Sequence, residues 1–324
     1  MHSKKELQEI ISEAFGTANF RYKPSSLYDP IKYMMDLGGK RLRPLLTLMS
    51  CDMFGGVIDD ALAPAMGLEL FHNFTLLHDD IMDQAPIRRG KETVFKKWNT
   101  NSAILSGDTL FVLAYDYVTK TTPALLPQVL DLFNDTARKV CEGQQYDMDY
   151  EFRKDVSIDD YILMINLKTA VLISCSLKLG AIIARASDPE ADLIYEFGEN
   201  LGLAFQLQDD YLDVFGDVEK FGKEIGNDIV TNKKTFLYLK AFELAGAGSL
   251  GLLNDHFSDK SITAPEKVRT ITSIYRELGI DRLTRTLIDE YYAKALSIMD
   301  QINIPEERKH ILLDLAGQMV NRDT

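Results

Sequence analysis

Cysteine is scarce in this chain. Cys51, Cys141 and Cys175 are the three present, odd in number, widely spaced and in no metal-ligand pattern. That excludes a disulfide framework and a thiolate metal site, and it fits reduced thiols in a cytoplasmic protein. No apolar run opens the sequence, because Met1 to Glu9 is charged, so no signal segment is expected. The most apolar run, Ala170 to Ala184, is interrupted by Lys178 and reads as too short to span a bilayer. Positive charge is in deficit: 36 Lys and Arg against 49 Asp and Glu leave a formal charge of -13, which argues against nucleic acid as a partner. Alternating Val/Ile/Thr stretches are missing, so strands are not expected, and no fixed-period repeat suggests a solenoid.

What remains is helical period almost throughout. Hydrophobic content of 46% with 26% charge suits a globular chain with a substantial core. An amphipathic helix is predicted over Lys5 to Phe15, then a polar turn over Tyr22 to Pro30, then a helix through Met34 and Met35 stopped by Gly38-Gly39. Pro44 suits a helix start, and Leu45 to Phe54 reads as buried. Ala61 to Met82 is a long helix, Pro86 to Glu92 a basic loop, and Ser102 to Val118 and Pro123 to Tyr150 further helices. Ser157 with Asp159-Asp160 marks a helix start that carries Lys168-Thr169 towards Ala184. Asp188-Pro189-Glu190 starts the next helix, and Glu199 to Val214 carries a cluster of aspartates. Gly216 to Thr235, rich in Gly and Lys, reads as a lid rather than core. Breaks are expected near Ala245 to Gly251 and at Thr263-Ala264-Pro265. The expectation is one all-α domain, 1–324, with no linker.

Two stretches carry chemistry. Asp79-Asp80-Ile81-Met82-Asp83 ends the apolar helix through Ala65 to Phe71. Asp79 and Asp83, four apart, project from one helical face, where like charges repel and nothing basic nearby on that helix offsets them. A hard divalent cation would. The pattern recurs at Asp209-Asp210-Tyr211-Leu212-Asp213, after the apolar Leu201 to Phe205. Mg²⁺ takes one or two carboxylates and shares the rest of its shell with water and substrate phosphates. Basic residues gather beside the same stretches: Lys40, Arg41 and Arg43 after a Gly pair, Arg88 and Arg89 after the first cluster, Lys223, Lys233 and Lys234 after the second. Lys168 sits between apolar neighbours. Arg and Lys suit phosphate. Phosphate-binding cations and Mg²⁺-binding carboxylates beside apolar helices imply a diphosphate ester with a hydrocarbon tail. Loss of diphosphate to leave a carbocation, protected from water, is the reaction such a site favours.

In sequence order, Gly38-Gly39-Lys40-Arg41-Leu42-Arg43-Pro44, His78-Asp79-Asp80-Ile81-Met82-Asp83 with Arg88-Arg89-Gly90, Lys168-Thr169, Phe205 to Asp213, and Gly222-Lys223 resemble the motifs of the trans-type polyprenyl diphosphate synthases over nearly the whole chain. The resemblance implies an isoprenoid-synthase-type helical bundle around a central apolar cavity. It implies three Mg²⁺ ions on Asp79, Asp83 and Asp209, with Asp80, Asp210 and Asp213 as direct or water-mediated support. Arg88, Lys168 and Lys223, helped by Thr169 and Gln206, would bind the allylic diphosphate (dimethylallyl, geranyl or farnesyl). Lys40, Arg43, His72 and Arg89 would bind isopentenyl diphosphate. His72 lies seven residues before Asp79, on nearly the same face, whereas His78 is read as structural. Such synthases are commonly homodimers. Their usual basic tail is reduced here to Arg322, to which no role is given.

Chain length has a steric reading. The growing tail would run down the helix from the first cluster, past Thr75 and Phe74 about one turn below Asp79 and Phe71 near the next. Phe74 would act as the floor. Thr75 is small where farnesyl synthases of eukaryotic type carry a second aromatic, and the bacterial two-residue insertion is missing, so the C20 product geranylgeranyl diphosphate ranks first and the C15 farnesyl diphosphate second. Three rivals remain. A terpene cyclase would lack Lys40 and Arg43 and carry a different second motif. A di-iron carboxylate bundle could use Glu69-x-x-His72 and Glu307-x-x-His310. A non-catalytic synthase subunit would have lost an aspartate motif.

Overall fold

The computed structural model describes residues 1–216, 226–259 and 261–322. They gather into two compact units. The first comprises Met1–Asn134, Cys175–Asp192 and Asn303–Leu312, and the second Asp135–Ser174, Leu193–Ile302 and Leu313–Thr324.

In the first unit, α1 (Lys4–Thr17) opens on a capping box. The Ser3 hydroxyl accepts from the Glu6 amide while the Glu6 carboxylate accepts from Ser3, so orphan donors at the helix start are satisfied. Leu7, Ile11 and Phe15 form its buried stripe. Next come α2 (Ser25–Asp36), α3 (Leu42–Met53), α4 (Ile58–Met82), α5 (Val94–Lys97) and α6 (Thr100–Val118). The predicted turn over Tyr22 to Pro30 is therefore helical from Ser25. Pro30 is buried with Ile31, Met34 and Met35, so packing outweighs its helix-breaking preference. Every residue of α3 from Pro44 to Met53 is buried. α4 is apolar all round and lies between α3 and α6, which is where such a helix belongs.

The expected loop after α4 is a two-stranded hairpin, β1 (Ile87–Arg88) paired antiparallel with β2 (Lys91–Glu92). Arg89 and Gly90 turn it with φ of 52° and 73°, both positive, as a two-residue hairpin requires. Strands of two residues are too short to show alternation, so no strand signal is visible in the sequence.

α7 (Leu126–Phe152) and α10 (Asp188–Phe215) are single long helices, and the second aspartate cluster occupies the last turns of the 28-residue α10. α8 (Ile158–Ile165) starts on the expected Ser157, with Asp160 completing a capping box. It continues through a π-turn, Asn166–Ala170, into α9 (Val171–Ile183). Ile158–Ile183 is thus long and apolar enough to cross a membrane, contrary to the sequence reading, but 61% of its most apolar stretch is buried within the fold, as in a core helix. The second unit adds α11 (Asn227–Val230), α12 (Phe236–Leu244), α13 (Ala247–Ser258), α14 (Ala264–Glu277) and α15 (Ile280–Gln301), and α16 (Glu306–Val320) starts in the first unit and ends in the second. The break expected near Ala245 to Gly251 is short, because α13 already starts at Ala247. The lid reading of Gly216 to Thr235 fails for its described end. Ile229 joins Val214, Leu237, Ile271 and Tyr275 in a core cluster, and Thr235 caps α12. Residues 217–225 lie outside the described residues.

Gly180 sets how closely α9 approaches α3. A Cβ there would lie 2.2 Å from the Thr47 carbonyl oxygen and 2.8 Å from the Cys51 amide nitrogen, both backbone atoms that cannot swing aside. Gly180→Ala is expected to destabilise the protein by about 1–3 kcal/mol, read as a lowered urea midpoint. An unchanged midpoint would contradict this packing.

Candidate active site

Within the first unit, α4 delivers its aspartates where its apolar stretch runs out. Asp80 is buried, and Arg88 from the hairpin donates to it through Nε at 2.8 Å. The same guanidinium reaches Asp79 Oδ2 at 3.5 Å. Burial pushes the Asp80 carboxyl up to about 6 even though Arg88 pulls it down. Asp83 is exposed at the helix C-cap. Arg88, expected on the diphosphate, thus also helps to orient Asp79 and Asp80.

A cationic group gathers one turn and more below. Glu69 is buried, its carboxyl raised by burial and pulled back by the charges of Arg43, Arg89 and Arg41. Glu69 Oε2 and Arg43 Nε are buried without hydrogen-bond partners. Arg89 donates to the Gly38 carbonyl, and its guanidinium lies where a Cβ on Gly39 would sit at 2.7 Å, so the Gly pair makes room for the fork. His72 is half-buried, and its pKa falls well below the usual range because of burial and then Arg43, Arg89 and Arg88. It is a neutral imidazole at pH 7, a hydrogen-bonding group and not a further cation. Lys40 is exposed beside Gly39. Glu69 facing arginines, with Glu307 and His310 both exposed, ends the Glu-x-x-His reading of a di-iron centre. His78 contacts the Ile104 carbonyl at 3.2 Å over Gly107, a structural position as expected.

The chain-length residues enter an aromatic stack. Phe74 lies nearly parallel to Phe111 of α6, centroids 5.0 Å apart at 11°, and also packs on Phe71 at 5.6 Å. Phe71 is fully buried against Phe111 and Phe133. Thr75 turns its hydroxyl to the His72 carbonyl at 2.8 Å.

The second unit holds a connected polar chain. Thr169 Oγ1 donates to Gln206 Oε1 at 3.0 Å, and Gln206 Nε2 donates to Asp210 Oδ1 at 2.9 Å. Tyr161 OH donates to Asp210 Oδ2 at 2.6 Å. Lys168, on the π-turn, pairs with Asp147 at 2.5 Å, and Gly143 on α7 leaves space for that turn. Lys168, Thr169, Gln206, Asp210, Tyr161 and Lys233 line one cavity of about 70 Å³. Asp213 accepts from the Asp228 amide at 2.9 Å, and Asp209 accepts from Arg322 at 2.5 Å. Burial raises Asp210 to about 7, raises Asp213, and lifts Asp228 well above its usual value with help from the charge of Asp210.

Lys234 departs from the phosphate reading: its ammonium donates to the carbonyls of Tyr150, Glu151 and Arg153 at the end of α7, as cations near helix C-termini do. Lys223 lies outside the described residues. Sequence reasoning missed Asp147, Tyr161 and Asp228, and it gave Arg322 no role.

Among the described residues, no three carboxylate, His or Cys side chains already form a closed cage. The donor set is nonetheless that of a hard cation: carboxylate oxygens, partly desolvated and held in place by Arg88, Tyr161 and Gln206. Mg²⁺ ordinarily completes its shell with water and phosphate oxygens.

Asp210 also predicts a pH effect. Its pKa in the fold, about 7, exceeds the ordinary carboxyl value of 3.8. Its contribution to stability is therefore largest at acid pH and is lost as pH rises through that interval. In EDTA, Asp210→Asn is expected to gain stability relative to the parent between pH 5 and pH 8, seen as a converging or reversed difference in urea midpoints. A difference constant across that range would contradict the burial argument.

The chain matches the polyprenyl synthetase family over residues 24–276. It is 36% identical to a geranylgeranyl diphosphate synthase of Methanosarcina mazei over 93% of this chain and 91% of that one. It is 33% identical to a geranylfarnesyl diphosphate synthase of Natronomonas pharaonis over 98% and 96%. Among solved structures, a geranylgeranyl pyrophosphate synthase superposes with a TM-score of 0.95 at 46% identity, covering 100% of both chains. The expected all-α isoprenoid-synthase fold is thereby confirmed, and the chain belongs to the polyprenyl synthetase family, the trans-type polyprenyl diphosphate synthases.

Proposed function

We propose that the chain is a short-chain prenyltransferase that condenses isopentenyl diphosphate with allylic diphosphates and releases geranylgeranyl diphosphate. The observation that carries the reading is the pair of aspartate clusters, both intact, each held by the protein's own donors. The relatives that share most of the chain's length include geranylgeranyl diphosphate synthases.

Asp79, Asp83 and Asp209 are assigned as ligands of three Mg²⁺ ions, supported by Asp80, Asp210 and Asp213. Bound Mg²⁺ would neutralise charge building on the diphosphate as it leaves. Arg88, Lys168 and Lys223 bind the allylic diphosphate, with Thr169 and Gln206 orienting its neighbours. Asp147 fixes the Lys168 ammonium, so that the cation is aimed in advance. Lys40, Arg43, His72 and Arg89 bind isopentenyl diphosphate. Glu69 keeps the arginines from driving one another apart. A neutral His72 offers a hydrogen bond to phosphate without a further repulsive charge. The double bond of isopentenyl diphosphate captures the allylic cation at C1. The proton then lost passes to the departing diphosphate, so no side-chain base is required.

Phe74 is assigned as the floor that stops elongation, and its stacking on Phe111 makes the floor two rings thick. Phe71, already sealed in the core, backs it. The single-domain reading of 1–324 is kept, because each compact unit is assembled from three separate stretches and neither is a contiguous segment. A homodimer is supported by α6, whose outer side exposes Leu105 at 60% and Val112 at 61%, two apolar side chains seven residues apart. Three free cysteines, two of them buried, fit a cytoplasmic location.

Purified protein given isopentenyl diphosphate with dimethylallyl, geranyl or farnesyl diphosphate should make C20 alcohol after dephosphorylation, and none in EDTA. C15 as the end product would move the reading to a farnesyl diphosphate synthase. No condensation with any primer would move it to a non-catalytic subunit. Phe74→Ala and Phe111→Ala should each extend the product by at least one C5 unit; unchanged C20 in both would refute the floor. Leu105→Glu with Val112→Glu should shift the particle from dimer to monomer mass in light scattering.

A further inference from the structure

We propose that Arg322 is a positioning residue for the second aspartate cluster, a built-in cation that competes with the divalent ion for Asp209. The inference rests on the assignment of Asp209 as a metal ligand. Arg322 follows α16, and its contacts fall on one face of α10. Its Nη2 donates to Asp209 Oδ1 at 2.5 Å. Its guanidinium carbon lies 4.3 Å from the centre of the Phe205 ring. Its backbone carbonyl accepts from Gln208 Nε2 at 2.9 Å. Positions 205, 208 and 209 are one helical turn, so ring, amide and carboxylate form a single cradle. The side chain is 14% exposed, and its Nε is buried with no hydrogen-bond partner. A surface arginine with a casual ion pair would keep that donor in water.

The electrostatics give the contact a direction. The charge of Asp209 adds to the cost of ionising Asp210, Asp213 and Asp228, and among the described residues Lys233 is a cation that faces those three. Arg285 donates to the Tyr211 hydroxyl at 2.8 Å, and Arg276 lies over the Phe215 ring at 5.8 Å. Arg322 supplies a positive charge directly on Asp209. A guanidinium on Oδ1 takes one of the two oxygens that a metal could use, and it places a positive charge beside the incoming divalent ion, where the two repel. At low Mg²⁺ Arg322 holds the cluster together; as Mg²⁺ rises, the ion must work against it. The pair thus sets how much Mg²⁺ the second cluster needs.

The test uses the full chain with inorganic pyrophosphate fixed in excess, Mg²⁺ titrated, and the thermal unfolding midpoint as readout. Arg322→Gln, which keeps length but removes charge, should unfold at a lower temperature without Mg²⁺. It should reach half-maximal Mg²⁺ stabilisation at about fivefold less metal, the size of one screened charge–charge interaction. Arg322→Lys, which restores the charge, should titrate near the parent. If Arg322→Gln loses the same number of degrees at every Mg²⁺ concentration, the residue is merely structural and the proposal falls. A half-saturation at higher Mg²⁺ in Arg322→Gln also overturns it, since Arg322 would then assist the ion. If the parent shows no Mg²⁺ response with pyrophosphate, the assignment of Asp209 itself fails.

Discussion

Carboxylates taken out of water are the constraint on which the rest of this structure depends. Asp80 in one unit and Asp210 in the other are buried at the ends of apolar helices, and burial raises both above the usual carboxylate range. A buried carboxylate is tolerated only when it is hydrogen-bonded and its charge is answered. Each unit meets that demand with groups of its own: Arg88 on Asp80 and Asp79, Tyr161 and Gln206 on Asp210, Arg322 on Asp209. The same arrangement suits a diphosphate and a divalent ion, because it keeps charged groups oriented and partly dry before the substrate supplies the opposite charge.

Local backbone devices serve this purpose. The chain reverses at the end of α4, where Gln84 has a φ of 52° and the Ala85 amide donates to the Asp80 carbonyl, so that Arg88 returns to the aspartates it follows in sequence. The Gly38-Gly39 pair ends α2 and leaves room for the Arg89 fork. The π-turn at Asn166–Ala170 carries Lys168 to Asp147 and Thr169 to Gln206, with Gly143 permitting the close approach of α7. π-Turns inside α-helices are frequent at functional sites.

Much of this was legible in the sequence, and for physical reasons. α4 was readable because a helix apolar all round must be a core helix, and the aspartates mark where that run ends. Ser157 with Asp160 announced a capping box. Long-range partners were not readable. Nothing in the spacing of Asp147, Tyr161 or Arg322 points to Lys168, Asp210 or Asp209, since each pair is joined only by the packing of distant helices. Lys234 read as a phosphate ligand by proximity in sequence, whereas the end of α7 takes its charge. The π-turn was not readable because α8 and α9 run on through Asn166–Ala170 with no Gly or Pro to mark a change of helical pitch.

The central claim is that these carboxylates are metal ligands for a prenyl diphosphate, and diffraction tests it most directly. Crystals grown with Mn²⁺ in place of Mg²⁺ and a non-ionising allylic thiodiphosphate would be measured for anomalous scattering. The account predicts metal peaks bonded to Asp79, Asp83 and Asp209, with the thiodiphosphate completing their shells. A thiodiphosphate bound through arginines and lysines alone, with no peak on those aspartates, would contradict it.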